Sequence, residues 1–112
     1  MTHGQKDLVQ VLFDLSNQLT EAIRQFGSRG RDFAEAESDY KQALTIHALR
    51  MKDEGKAVGM ITLTIYGIPE IARLRLKRDI AQTMYEQSKE IINGIKTRIR
   101  IIEGQVQREW NG

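Results

Sequence analysis

Between Pro69 and about Glu109 the chain contains nothing that ends a helix. Pro69 stands where proline favours a first helical turn. After it only Gly94 and Gly104 weaken a helix, by about 1 kcal/mol each relative to alanine. About 40 residues rising ~1.5 Å each make a rod of roughly 60 Å. A 112-residue chain with one modest core does not cover such a rod. Self-association along this helix is therefore expected, with the two glycines as places where another backbone comes close.

Two shorter helices are expected before it. Leu8, Val11, Leu12, Leu15, Leu19, Ala22, Ile23 and Phe26 recur at steps of three and four, which predicts an amphipathic helix over residues 6–26. The "GSRG" at Gly27–Gly30 is expected to end it, because glycine takes the left-handed conformation of helix C-caps. A second helix is predicted over residues 31–53. Its inner face holds Phe33, Ala36, Tyr40, Ala43, Leu44, His47 and Met51, widened by Ile46 and Leu49. Asp32, Glu35, Glu37 and Asp39 at its start, with Arg50 and Lys52 at its end, match the helix dipole. Glu54–Gly59 reads as a loop. In residues 61–66, Ile61, Leu63 and Ile65 alternate with Thr62, Thr64 and Tyr66, the pattern of a half-buried strand. A lone strand has nothing to pair with, so a short helix capped by Thr62 or Thr64 is favoured. The expected fold is all-α and a single domain over 1–112: a helical hairpin plus one long C-terminal helix (69–109), assembled into a homo-oligomeric helical bundle.

At 100° per residue the long helix divides into stripes. Leu74, Ala81, Met84, Tyr85, Ile91, Ile92, Ile95, Ile99, Ile102, Val106 and Trp110 share one arc. Within it Ile91, Ile95, Ile99, Ile102 and Val106 are the expected oligomer seam. Beside it lie Arg75, Arg78, Lys89, Lys96 and Arg100, with Gln82, Asn93 and Gln107 in the gaps. A basic stripe of ~37 Å suits a phosphate backbone, since each neutralised phosphate releases a counterion. The competing reading is a solvated face, or one that pairs with acids of another chain. Arg73 and Lys77 point nearer the apolar face, where they would snorkel or meet acids of a neighbouring helix or chain. Leu76 lies on another side with Ile80 and Ile101.

Charge follows the same division. Residues 1–70 hold 8 Lys/Arg against 10 Asp/Glu (−2), and residues 71–112 hold 9 against 5 (+4). An anionic partner, or head-to-tail contact between copies, fits this asymmetry. No cysteine is present, so disulfides and thiolate chemistry are absent. No apolar run nears the ~18 residues of a membrane span, and the start lacks a signal-peptide pattern. A cytoplasmic location, with no membrane partner, is the expectation. His3 and His47 are the only histidines, and His47 falls on an inner helix face as a satisfied core residue would. No metal-ligand spacing, P-loop or nucleophile elbow occurs, so neither catalysis nor a metal or other cofactor is expected.

The order of features adds a resemblance. An Ala- and charge-rich helix (FAEAESDYKQAL), a Gly-containing loop (DEGKAVG), a short apolar segment (ITLTIYG) and a basic helix ending IINGIKTRIRIIEGQVQREW follow one another. This layout resembles UvsY-type phage recombination mediators, over roughly residues 34–109, with the "GIKTR" of Gly94–Arg98 as its most specific part. It also resembles small early-region helical proteins of phages infecting Gram-positive bacteria. The resemblance implies a small helical protein that forms rings, binds single-stranded DNA and helps load a recombinase in place of single-strand-binding protein. Lys96 and Arg98 would be its matching basic positions, although Arg98 lies off the stripe.

A mediator-like, single-stranded-DNA-binding homo-oligomer in the host cytoplasm is thus expected, with Arg75, Arg78, Lys89, Lys96, Arg98 and Arg100 on the nucleic acid. Its protein partners would be a recombinase or single-strand-binding protein. The alternative is a phage inhibitor of a host defence protein, anti-CRISPR-like. It would use the same stripe on an acidic surface, or its acidic N-terminal half as a DNA mimic. A structural coiled-coil adaptor is the third possibility.

Overall fold

The computed structural model describes residues 3–111, with side chains from residue 7 onward; the side chain of His3 lies outside them. The order is α1 (His3–Asp53), α2 (Val58–Thr64), a 3₁₀ turn (Ile65–Gly67) and α3 (Pro69–Asn111). Among the described residues there is no strand, and no helix is long and apolar enough to cross a membrane.

The expected break at Gly27–Gly30 does not occur: the two N-terminal helices are one, α1. The reason lies in the apolar register. Positions 8, 12, 15, 19, 22, 26, 29, 33, 36, 40, 43 and 47 alternate steps of four and three without a fault, and each is buried or half-buried. Two glycines cost about 1 kcal/mol each, which is small against burial on both sides of them. Neither takes a positive φ; among the described residues Gly55 does, at 82°. The dipole account of Asp32, Glu35, Glu37 and Asp39 falls with the break, because these acids sit deep inside α1.

The true stop is at Gly55. Its N–H donates to the Lys52 carbonyl (2.9 Å), and the Lys56 N–H reaches back to Met51 (3.1 Å). This paired closure requires a left-handed residue between the last helical turn and the exit. Helix α2 then begins at Val58, inside the stretch expected as loop. The short-helix reading of residues 61–66 holds, but its caps do not. Thr62 donates to the Val58 carbonyl (3.0 Å) and Thr64 to that of Met60 (2.8 Å), so both hydroxyls are spent within the turn behind them. The N-cap is Ala57, without a side-chain bond.

The chain divides into two compact units, residues 29–85 and residues 3–28 with 86–111. In the first, α1 and α3 run antiparallel. Phe33 meets Tyr85, Glu37 meets Arg78, and His47 meets Glu70, so rising numbers on one helix face falling numbers on the other. Tyr40, Ala43, Ile71 and Leu74 form the core, joined by Leu44 and Ile68, and Ile71 is fully buried. Ile46 and Leu49, expected to widen the inner face, are exposed. A Cβ on Gly30 would stand 3.2 Å from Cε1 of Tyr85, so this glycine gives the ring room beside Phe33. In the second unit Leu15, Ser88, Ile92 and Ile95 are buried. In α3 the inward positions are 71, 74, 78, 81, 85, 88, 92, 95, 99, 102 and 106, again at steps of three and four.

These backbone differences predict a graded alanine series in urea denaturation. Gly27→Ala, whose Cβ meets nothing within 4 Å, should stabilise by up to about 1 kcal/mol. Gly30→Ala should gain less, and Gly55→Ala should lose about 1–2 kcal/mol through its positive φ. Equal gains at Gly27 and Gly55 would contradict the stop at Gly55.

Candidate nucleic-acid interface

The six cations expected on nucleic acid do not share one environment. Arg75 and Arg78 belong to the unit of residues 29–85, and Lys89, Lys96, Arg98 and Arg100 to the other. Arg75 is exposed, with its guanidinium carbon 5.3 Å from the centre of the Tyr66 ring, a cation–π contact.

Arg78 is not part of an open stripe. It occupies an inward position between Leu74 and Ala81, and its side chain is only 20% exposed. Nε donates to Asp79 at 2.8 Å, Nη1 lies 3.4 Å from Glu37, and the guanidinium carbon is 4.7 Å from the Tyr40 ring centre. The Asp79 hydrogen bond does most to raise its pKa further, against the opposing effect of desolvation. An arginine so held within its own chain does not present its charge to a phosphate. The wheel places it at the edge of the basic arc; its place in the seven-residue repeat of inward positions 71, 78, 85, 92 and 99 is the sign that it turns inward.

On the unit containing the end of α3, Lys89, Lys96 and Arg100 are exposed and take part in no ion pair among the described residues. At 100° per residue they fall within about 40° of one another and span roughly 17 Å along the axis. Asn93 and Gln107 border them, and Glu103 is the acid at their edge. Arg98 points elsewhere: it lines a cleft of about 350 Å³ with Val11, Asp14, Leu15, Gln18, Ile101 and Ile102. The stripe therefore reduces to a patch of three cations. Of the expected seam, Ile95 is buried and Ile99, Ile102 and Val106 are half-buried within this single chain, while Ile91 is 57% exposed. The α3 arc is thus largely covered by the chain itself, with Ile91 and Trp110 left open.

His47 is satisfied as expected. Its Nε2 and Glu70 Oε2 are 2.8 Å apart, and its side chain is 15% exposed. That hydrogen bond is the main cause holding the Glu70 carboxyl below the ordinary glutamate range. Arg73 and Lys77 are exposed and border, with Asp39, Arg50 and Glu70, a shallow cleft between α1 and α3. Among the described residues no group of three or more His, Cys, Asp or Glu is placed to hold a metal ion.

Two outcomes follow for thermal and urea unfolding. Arg78→Glu should destabilise by about 1–3 kcal/mol, because a partly buried pair loses one partner, while Arg78→Met, which keeps the stem, should cost less. Arg75→Glu should change stability little. A carboxylate whose pKa is depressed on folding lends stability above its unfolded pKa and loses it as pH falls through the folded one. The stability gap between wild type and Glu70→Gln should therefore be full near neutrality and close on acidification below the ordinary glutamate range. Comparison with family models, with curated proteins and with solved structures found no match, so the functional reading rests on the chain's own residues.

Proposed function

We propose that the chain is an accessory protein of phage-type DNA recombination or replication that binds single-stranded DNA as a homo-oligomer, in the manner of a mediator. The observation that carries this reading is the patch of Lys89, Lys96 and Arg100. These are three exposed cations that make no ion pair among the described residues, beside amide side chains, on the helix that bears the resemblance to UvsY-type mediators. One patch engages few phosphates, so avidity between copies supplies useful affinity. Its working place is the host cytoplasm, and its protein partners are a recombinase or a single-strand-binding protein.

A second reading, inhibition of a host defence protein by protein–protein binding, draws on Asp32, Glu35 and Asp39. The dipole no longer explains these acids, and none makes an ion pair among the described residues. Such a row can imitate a phosphate backbone.

Anisotropy of a fluorescent single-stranded oligonucleotide, titrated with salt and compared with a duplex, separates the two. Three phosphate contacts per chain predict a log–log salt slope of about −2 per chain on the single strand. Lys89→Glu, Lys96→Glu and Arg100→Glu together should abolish binding with helicity intact, whereas Arg98→Glu should leave it nearly unchanged. No binding at low salt would move the assignment to the inhibitor.

A further inference from the structure

The face that carries Lys89, Lys96 and Arg100 does not end with α3. Within this unit a cleft of about 350 Å³ is lined by Val11, Asp14 and Gln18 of α1 and by Arg98 and Ile101 of α3, beside Leu15 and Ile102. At 100° per residue these flanking residues lie roughly 60–140° to one side of the buried stripe of each helix. The opposite sides of the two helices therefore share the opposite face. On α3 that side holds Lys89, Lys96 and Arg100 with Asn93 and Gln107. On α1, over the same roughly 60–140°, it holds Val9, Phe13, Ser16, Thr20, Ile23 and Gly27. The cleft also fixes the level. Phe13 stands between Val11 and Asp14, and Arg100 between Arg98 and Ile101, so the two lie at one height on the far side.

The α1 row is a second one, separate from the buried stripe. Its members recur at steps of four and three, and none is charged. Val9 is 46% exposed, Phe13 63% and Ile23 52%. The Thr20 hydroxyl is spent on the Ser16 carbonyl (3.2 Å). Phe13 and Trp110 are the two most exposed aromatic side chains among the described residues, and Trp110 lies toward the same side of α3.

We infer that a single strand lies along this face with its phosphates on the α3 cations and its bases against the α1 row, where Phe13 stacks on a base. Two arguments select that occupant. The first is charge. Asp7, Asp14 and Glu21 of α1 lie roughly 100–140° round to the other side, which leaves Glu103 and, at the outer edge, Glu86 as the acids near the cations. The second is the pairing of a cationic row with an uncharged row that bears an open ring, which meets backbone and base together. A duplex offers the phosphates but keeps its bases stacked inside. A lipid surface takes a continuous apolar band, and Ser16, Thr20 and Gly27 interrupt this one. The inference rests on the single-stranded-DNA reading and supplies its base contact.

Anisotropy of a labelled oligothymidine, of an abasic strand of equal length and of a duplex tests it, with sedimentation of the DNA-free chain alongside. The wild type should prefer oligothymidine to the abasic strand by about fivefold or more. Phe13→Ala should weaken oligothymidine binding roughly 5- to 150-fold, the worth of one base–aromatic stack, and leave the abasic strand and the duplex as they were. Its log–log salt slope should stay near about −2, since no phosphate contact is lost. Phe13→Trp should keep the affinity, and Phe13→Leu, which has apolar bulk without a ring, should not. Leu63→Ala, on the exposed surface of α2, should change nothing. Helicity and sedimentation should be those of the wild type throughout. Equal affinity for the two strands, or a Phe13→Leu variant as tight as the wild type, overturns the stack. So does an inert Phe13→Ala beside a charge-reversed Lys89, Lys96 and Arg100 that no longer binds, and the DNA reading then stands without it. Slower sedimentation of Phe13→Ala overturns it in favour of a contact between copies. A wild type that binds no strand overturns both readings, and flotation with anionic vesicles would then assign the face to a lipid surface.

Discussion

The structure depends on an apolar register that neither long helix breaks. Inward positions on α1 and α3 recur at alternating steps of three and four, the spacing that keeps one stripe of an α-helix facing a partner helix. Burial of that stripe overrides weaker local preferences. It carries α1 through Gly27 and Gly30, and it draws Arg78 and Ser88 inward between isoleucines, leucines and tyrosines. Where the register ends, backbone geometry takes over: Gly55 turns the chain, and Pro69 starts α3.

An inward charge is tolerated when it brings its own partners. Arg78 has Asp79 on its own helix, Glu37 on the other and the face of Tyr40 beneath it, so little of its charge is left unmet. The open cations Lys89, Lys96 and Arg100 have no such company. Formal charge in the sequence is thus a poor guide to charge offered to a partner. What separates the two groups is the helical position at which each cation falls.

Helical class, the start of α3 at Pro69 and the core roles of Ala36, Tyr40, Ala43 and Leu74 were legible in the sequence. So was a short helix in residues 61–66 rather than a lone strand. The continuity of α1 was missed because two glycines were weighed as local stop signals, while the spacing Phe26–Arg29–Phe33 was not followed through an arginine. Which of the basic residues stay open was not legible. A wheel assigns angles, and an arc of about 60° on a helix spans both the rim of a seam and open surface. Arg78 and Lys96 share one angle on it, and only the seven-residue repeat of inward positions, which holds 78 and not 96, separates them. Nor does a wheel of one helix reveal that α1 supplies cover for most of the isoleucine arc of α3.

Repeating registers carry an ambiguity, since sliding one helix along the other by seven residues still sets apolar positions against apolar positions. Two residues of the unit 29–85 remove it. Arg78 finds an acid on α1 only in the observed alignment; a slide of one heptad puts Leu44 or Gly30 where Glu37 stands. Tyr85 finds its missing side chain at Gly30, and the slide that brings Leu44 to Arg78 gives the tyrosine Glu37 instead. One arginine and one glycine thus act as a key for the hairpin, selecting a single alignment among several that hydrophobic burial alone would accept.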